Sequence, residues 1–443
     1  MQTANPALKL NSINPPQALV DSTVAALEAW LETMRGPQGY GGPVAHWWQQ
    51  SLTYTGPGFD WRYEGIITGY LHLWERSDAS YLEKACRAAD DLVQAQLPNG
   101  HFPASCFELN PATAGTPHEA ACDVGLLRLA KALQTAGFAD WGTYAYCAEQ
   151  NIRTYYLAKL WDAEVKAFRD NPQTPSFVPN KAATACEALF LLAELSGDAL
   201  WVEQYALPTL DQILAHQVKG GLCAGAIAQN SFGSQRVEKY FPIYISRCVP
   251  ALIQGYRWTN KAQYAQAAVQ AMEFIASWCA EDGSLPTVIY PNGQVNRNPT
   301  WIAPLAEVLH ATDLTRLYGF TYDFYPTFQR LVRGQDASGG IQTARGFAKQ
   351  AWPGEQNLPD VRDVLHVVGW CDKAFAYLAS HAGPNLRETQ SGTFETHCTF
   401  QGQTLLLQET PEILEIVAAK GVYYRWWKGA MWPEIAHPLF WLR

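Results

Sequence analysis

A glycine turn that returns about every sixty residues constrains this chain more than any other feature. Gly39 in RGPQGYGGPVAH, Gly100 in QLPNGHFPAS, Gly220 in HQVKGGLCAGA, Gly283 in CAEDGSLPTV and Gly339 in GQDASGGIQTA are separated by one such interval or, once, by two. The double interval implies a degenerate copy near WDAEVKAFRDN (161–171), which makes six. A fixed period of this length marks a repeat architecture, in which each unit buries its apolar face against the next.

Every copy has the same order. A helix with outward charges, such as SYLEKACRAADDLVQAQ, runs into the glycine turn, an irregular segment follows, and then comes a helix of small and apolar residues. PHEAACDVGLLRLAKAL and PNKAATACEALFLLAEL align from Pro117 and Pro179, and proline suits a helix N-terminus. Helices that are apolar nearly all round must be buried, and amphipathic ones cover them. The expected fold is therefore all-α: an (α/α)6 toroid of six inner and six outer helices over residues 1–383. Short turns such as SGDALW join inner to outer helices on one face. Long loops on the other face put the pocket at the N-termini of the inner helices. Residues 384–443, strand-like in THCTFQGQTLLLQ and aromatic-rich in VYYRWWKGAMWPEIAHPLFWLR, read as a C-terminal extension packed on the barrel.

A net charge of −9 and a pI near 5.6 argue against a nucleic-acid partner. No run of apolar residues is long enough to span a bilayer, and MQTANPALKLNSINPPQ has no secretory pattern. Most of the ten cysteines lie in apolar helical runs without zinc-ligand spacing, which reads as buried thiols in a cytoplasmic protein.

The mouth geometry selects the candidate site residues. Inner helix one brings Asp60, Trp61, Arg62, Tyr63 and Glu64. Inner helix two brings His118, Glu119 and Asp123, preceded by a loop with Glu108 and Asn110. The fourth brings Tyr240, Tyr244 and Arg247, the fifth Trp301, and the sixth Arg362 and His366. Asp60 and His118 are equally suited to capping, and a buried Asp123 must be paired or functional. Together these residues would form an aromatic cavity with sparse polar groups. That chemistry suits stabilisation of cations on aromatic faces or stacking of sugar rings between carboxylates.

The turns AQLPNGHF, CAEDGSL and GQDASGGI resemble the QxxDGxW-type motifs of the terpene and squalene cyclase superfamily, and NKAATACEALFLLAEL resembles its small-residue inner helices. The resemblance spans residues 17–383 as a single barrel and implies a single-domain class II cyclase of meroterpenoid pathways. It implies protonation of a prenylated aromatic or linear isoprenoid by Glu108, Glu119, His118 or Asp123, with no metal and no cofactor. Asn110 carries no acidic proton, although an Asp there would be a natural initiator. Asp60, Trp61, Arg62, Tyr63, Tyr240, Tyr244, Arg247, Trp301, Arg362 and His366 would hold this hydrophobic substrate, with peripheral contact to a membrane that supplies it. The family's DxDD acid motif is absent. HEAACDVGLL also resembles the Asp-bearing helix of unsaturated glucuronyl hydrolases, so a cytoplasmic (α/α)6 carbohydrate-active enzyme (glucuronyl hydrolase, glycoside hydrolase or sugar epimerase) is the alternative. A non-catalytic binder of a hydrophobic ligand is a third reading.

Overall fold

A computed structural model of the chain describes residues 15–44, 52–55, 58–103, 119–347, 358–436 and 440–442, with 52–55 and 440–442 described as backbone and the side chain of Glu119 left out. Helices alternate between an outer and an inner ring. The outer ring is α1 (Gln17–Thr33), α3 (Ser80–Ala95), α5 (Trp141–Asn151, continued as π-helix over Ile152–Leu160), α7 (Leu207–Ala215, entered through a π-helical Trp201–Ala206), α10 (Ala262–Ser277) and α12 (Tyr325–Arg333). The inner ring is α2 (Arg62–Arg76), α4 (Glu119–Ala136), α6 (Pro179–Ser196), the pair α8 (Pro242–Ser246) and α9 (Val249–Thr259), α11 (Leu305–Arg316) and, after the short α13 (Val361–Val364), α14 (Val368–Ala379). This is the expected (α/α)6 toroid of six inner and six outer helices.

The repeated glycine is a packing device. A Cβ on Gly100 would meet the Gln150 carbonyl of α5 at 3.3 Å, and one on Gly339 would meet the Ala26 carbonyl of α1 at 2.1 Å. Both glycines also have left-handed φ, +84° and +96°. In both, a glutamine fixes the turn to the next outer helix. Gln96 Nε2 donates to the Gly100 and Cys147 carbonyls, and Gln335 Nε2 to those of Gly339 and Thr23. In the fourth copy Gln217 bonds the carbonyls of Gly225 and Ala267. The equivalent glycine there is Gly225, whose Cβ would lie 2.2 Å from the Gln270 carbonyl, whereas one on Gly220 would meet nothing. An insertion in this turn displaces the glycine along the sequence. In WDAEVKAFRDN the positive φ of 58° falls on Lys166, so the degenerate copy keeps the turn without the glycine.

Within the inner ring, α2 and α14 approach through Gly65 and Gly69. A Cβ on Gly65 would fall 2.4 Å from the Asp372 carbonyl oxygen, and one on Gly69 2.4 Å from the Phe375 ring.

Phe394–Ile435 form a five-stranded antiparallel sheet, with strands β1 (Phe394–Phe400), β2 (Gln403–Glu409), β3 (Ile413–Ala418), β4 (Gly421–Trp427) and β5 (Glu434–Ile435) in sequential order. Inward residues alternate along β2 (Leu405, Leu407, Glu409), as expected for a sheet with one buried face. The sheet is anchored by ions. Glu409 accepts from Trp30 Nε1 at 2.7 Å, pairs with Lys428 at 2.8 Å, and meets His366 Nδ1 at 2.8 Å. His366 Nε2 lies 2.5 Å from Asp336. Backbone at Phe440–Leu442 returns to pair in parallel with Leu52–Thr55. The nine cysteines among the described residues form no disulfide with one another, and no helix there is long and apolar enough to cross a membrane.

Candidate functional site

At the mouth, each inner helix begins where the preceding loop ends. Asp60 and Asp360 fold the two best-defined entries in the same way. The Asp60 carboxylate accepts from the Arg62 backbone N–H and takes its guanidinium with both oxygens, at 2.9 and 3.1 Å. Asp360 does the same with Arg362, at 2.7 and 3.0 Å. An Asp-x-Arg pair at a helix start thus caps the helix and supplies the counter-ion together. Arg62 also donates to the Tyr40 carbonyl. Arg362 lies over the rings of Phe347 and Phe400, 4.7 and 5.4 Å from their centroids, which ties the toroid to β1. Asp363 completes a capping box and accepts from Phe347 N, and burial pushes its carboxyl up to about 6.

Aromatic side chains form a row across this face. Trp61 and Trp370 meet edge-to-face at 4.2 Å, and Trp370 and Trp301 meet at 5.5 Å. Between α6 and α8, Tyr244 and Phe241 lie 5.3 Å apart beside Asn180, and Tyr244 and Asn180 keep part of their surface exposed.

Below the row, the bore is crossed by charge. Glu64 of α2 takes Arg247 at 2.8 Å from the opposite side of the ring and Lys373 of α14 at 2.7 Å. Arg128 of α4 donates to Glu187 of α6 at 3.2 Å, and Arg247 lies 3.3 Å from the other Glu187 oxygen. Lys373 also donates to the Trp61 carbonyl at 3.2 Å, linking this layer to the aromatic row. Glu64 is held well below the usual carboxylate range: burial opposes this, and Arg247, Lys373 and Arg128 outweigh it. Burial instead raises Glu187 and Asp372.

The candidates chosen from sequence therefore separate. Asp60, Trp61, Arg62, Tyr244, Trp301 and Arg362 lie at the mouth. Arg247 faces the bore, not the mouth rim. Tyr63 turns outward, where its hydroxyl accepts from Tyr40 N–H and lies 3.3 Å from Asp91 of α3. The Tyr240 ring packs on Phe274 of α10. Asp123 points to α5, where Asn151 donates to it at 2.8 Å, and burial holds its carboxyl well above the usual range. His366 has both ring nitrogens engaged by Asp336 and Glu409. Glu108, Asn110 and His118 lie outside the described residues, as does the Glu119 side chain. Sequence reasoning placed Glu64 at the mouth, whereas it lies in the bore, and missed Glu187, Glu307 and Lys373. Their signal was a charge inside an otherwise apolar inner helix, the same signal read for Asp123 alone. Among the described residues no group of three or more His, Cys, Asp or Glu side chains is placed to hold a metal ion.

No protein-family model matches the chain. No curated protein matches it either. Solved structures do share the fold. A cellobiose 2-epimerase from Bacillus thermoamylovorans superposes with a TM-score of 0.61 at 12% identity, covering 82% of this chain and 99% of its own. A D-mannose isomerase gives 0.59 at 12%, covering 82% and 97%. An unsaturated glucuronyl hydrolase specific for heparin gives 0.57 at 11%, covering 83% and 97%. These neighbours are carbohydrate-processing (α/α)6 proteins and overturn the resemblance to terpene cyclases, and with it the carbocation chemistry, the meroterpenoid pathway and the prenylated hydrophobic substrate. The physical reason lies in the motif. The glycine turns that carried the resemblance fasten outer helices together, so they report a toroid and not a reaction. The bore also holds interlocked ions where a cyclase reading required an aromatic tunnel.

Proposed function

We propose that this chain is a carbohydrate-active enzyme that takes a sugar at the mouth of the toroid. The observation that carries the reading is the row Trp61–Trp370–Trp301 above a layer of buried charge. The C–H face of a pyranose stacks on an indole face, here that of the partly exposed Trp61 with Trp370 and Trp301 buried behind it, and a few convergent polar groups then fix its orientation. The fold likeness to an epimerase, an isomerase and a glucuronyl hydrolase supports the same substrate class. Among the described mouth carboxylates, Asp60 and Asp363 are committed to caps and Arg62. We assign the acid–base work to Glu108, His118 and Glu119, residue types suited to proton transfer at a sugar carbon or glycosidic oxygen.

The test is a substrate panel. Cellobiose and mannose are followed by NMR in D2O for epimerisation or isomerisation, and unsaturated uronyl disaccharides for loss of their conjugated absorbance. Turnover of one class, weakened by Trp61→Ala, is the expected result. Absence of both turnover and sugar binding across the panel would overturn the proposal.

A further inference from the structure

The bore has a second end. Behind the charged layer, a cleft opens on the face where inner helices end, lined by Thr68, Arg128, Glu307, His310, Ala376 and Tyr377 among others. It is separated from the mouth by Lys373, whose ammonium is held by Glu64 and the Trp61 carbonyl.

Three polar side chains in this cleft stand apart from the rest of the bore. Glu307 is 7% exposed, and among the described residues no donor bonds its carboxylate and no cation pairs with it within ion-pair distance, although Arg247 and Lys373 lie near enough to feel its charge. Tyr377 is 3% exposed, and its hydroxyl has no hydrogen-bond partner among the described residues. His310, one turn along α11 from Glu307 and partly exposed, also makes no ring hydrogen bond among the described residues. Burial and the nearby Arg128 guanidinium push its pKa down to about 4, so the ring is neutral and carries one donor and one acceptor. Glu64 and Glu187, by contrast, are each met by two or more cations. Leaving the buried Tyr377 hydroxyl without a partner costs about 1–3 kcal/mol, and Glu307 and His310 line the same cleft, so together they point to something that completes them.

Their chemistry selects the ligand. Glu307 only accepts, Tyr377 and the partly exposed Arg128 donate, and His310 does one of each. Charges of both signs alternate around the space, so neither a cation nor an anion gains from entering. A hydroxyl, both donor and acceptor, meets every demand. The cavity of about 40 Å³ holds on the order of three waters, the size of a triol or of one edge of a sugar. We propose that the rear cleft of the bore is a binding site for a small neutral polyol, held by Glu307, His310, Tyr377 and Arg128 and distinct from the mouth. This assignment stands independently of the chemistry at the mouth.

Glycerol is the probe. Saturation-transfer NMR on the full chain is expected to show binding in the wild type and in Trp61→Ala, which alters only the mouth. Glu307→Gln and Tyr377→Phe should each weaken binding by about tenfold, the loss of one hydrogen bond in a partly charged site. Both variants nearly preserve volume, and unchanged thermal unfolding of either one keeps the comparison valid if the other misfolds. Absence of transfer in the wild type, equal transfer in both rear variants, or loss in Trp61→Ala would overturn the proposal.

Discussion

Replacing Glu409 with Gln tests whether ions hold the C-terminal sheet to the ring. The side chain is 2% exposed and faces Lys428, His366 and Trp30, while Asp336 sits on the far side of His366. Two carboxylates and two cations thus balance in a dry pocket. Gln keeps the shape, removes one negative charge and presents an N–H to groups that already donate. Breaking a buried pair from one side costs about 3–5 kcal/mol, and that is the expected loss in urea unfolding followed by tryptophan fluorescence. The pH profile adds a signed check. The Asp336 and Glu409 carboxylates outweigh burial and raise His366 to about 10 from an ordinary 6.5. Its contribution is therefore complete below about pH 6.5 and lost as pH rises toward 10, by roughly 5 kcal/mol at 1.36 kcal/mol per pH unit. Glu409 behaves oppositely: Lys428 and His366 hold it below the ordinary 4.5, so its contribution is present above that value and lost as pH falls beneath it. The wild type should be most stable from about pH 4.5 to 6.5 with respect to this pocket. Glu409→Gln should show a shallower decline between pH 7 and 10. A loss under about 1 kcal/mol, the scale of exposed pairs, or identical pH slopes would refute the reasoning.

Other outcomes follow from the same contacts. Gly339→Ala should destabilise by about 2–4 kcal/mol, combining a left-handed φ with a carbonyl clash, while Gly220→Ala, which meets nothing, should change the melting temperature little. Gln335→Leu leaves the Gly339 and Thr23 carbonyls without their shared donor and should cost about 1–3 kcal/mol in denaturant unfolding. Asp123→Asn should be neutral or stabilising at pH 8, where burial penalises the carboxylate, and this advantage should vanish below pH 4, as titrated unfolding would show. Trp61→Ala should raise KM for the sugar that is turned over by about tenfold or more, with circular dichroism unchanged.

The ring was legible because its period is carried by backbone necessity. Only glycine fits where a turn meets the carbonyls of the next outer helix, so Gly100, Gly283 and Gly339 fall in step in the sequence. Pro179 marked an inner helix start for a similarly local reason. The site was less legible because a helix apolar all round does not say which side faces the bore. Tyr63 and Tyr240 were assigned to the mouth and turn outward instead, toward α3 and α10. Glu64 and Arg247 were named singly, but the charged layer they belong to was invisible for a different reason. Glu64, Glu187, Arg247 and Lys373 come from four distant repeats, and each reads alone as an isolated charge until the ring closes and joins them.

The Arg247–Glu64 bridge joins the first inner helix to the fourth, directly across the ring. Open solenoids gain and lose units during evolution because each repeat touches only its neighbours. Here a duplicated or deleted unit would change the diameter and leave a buried Glu64 and Arg247 out of each other's reach. The Gln335 side chain, which joins the last turn to the first helix, would lose its register as well. The number six is therefore written into specific side chains, and the natural currency of variation for this scaffold is the loops between helices, not the count of its repeats.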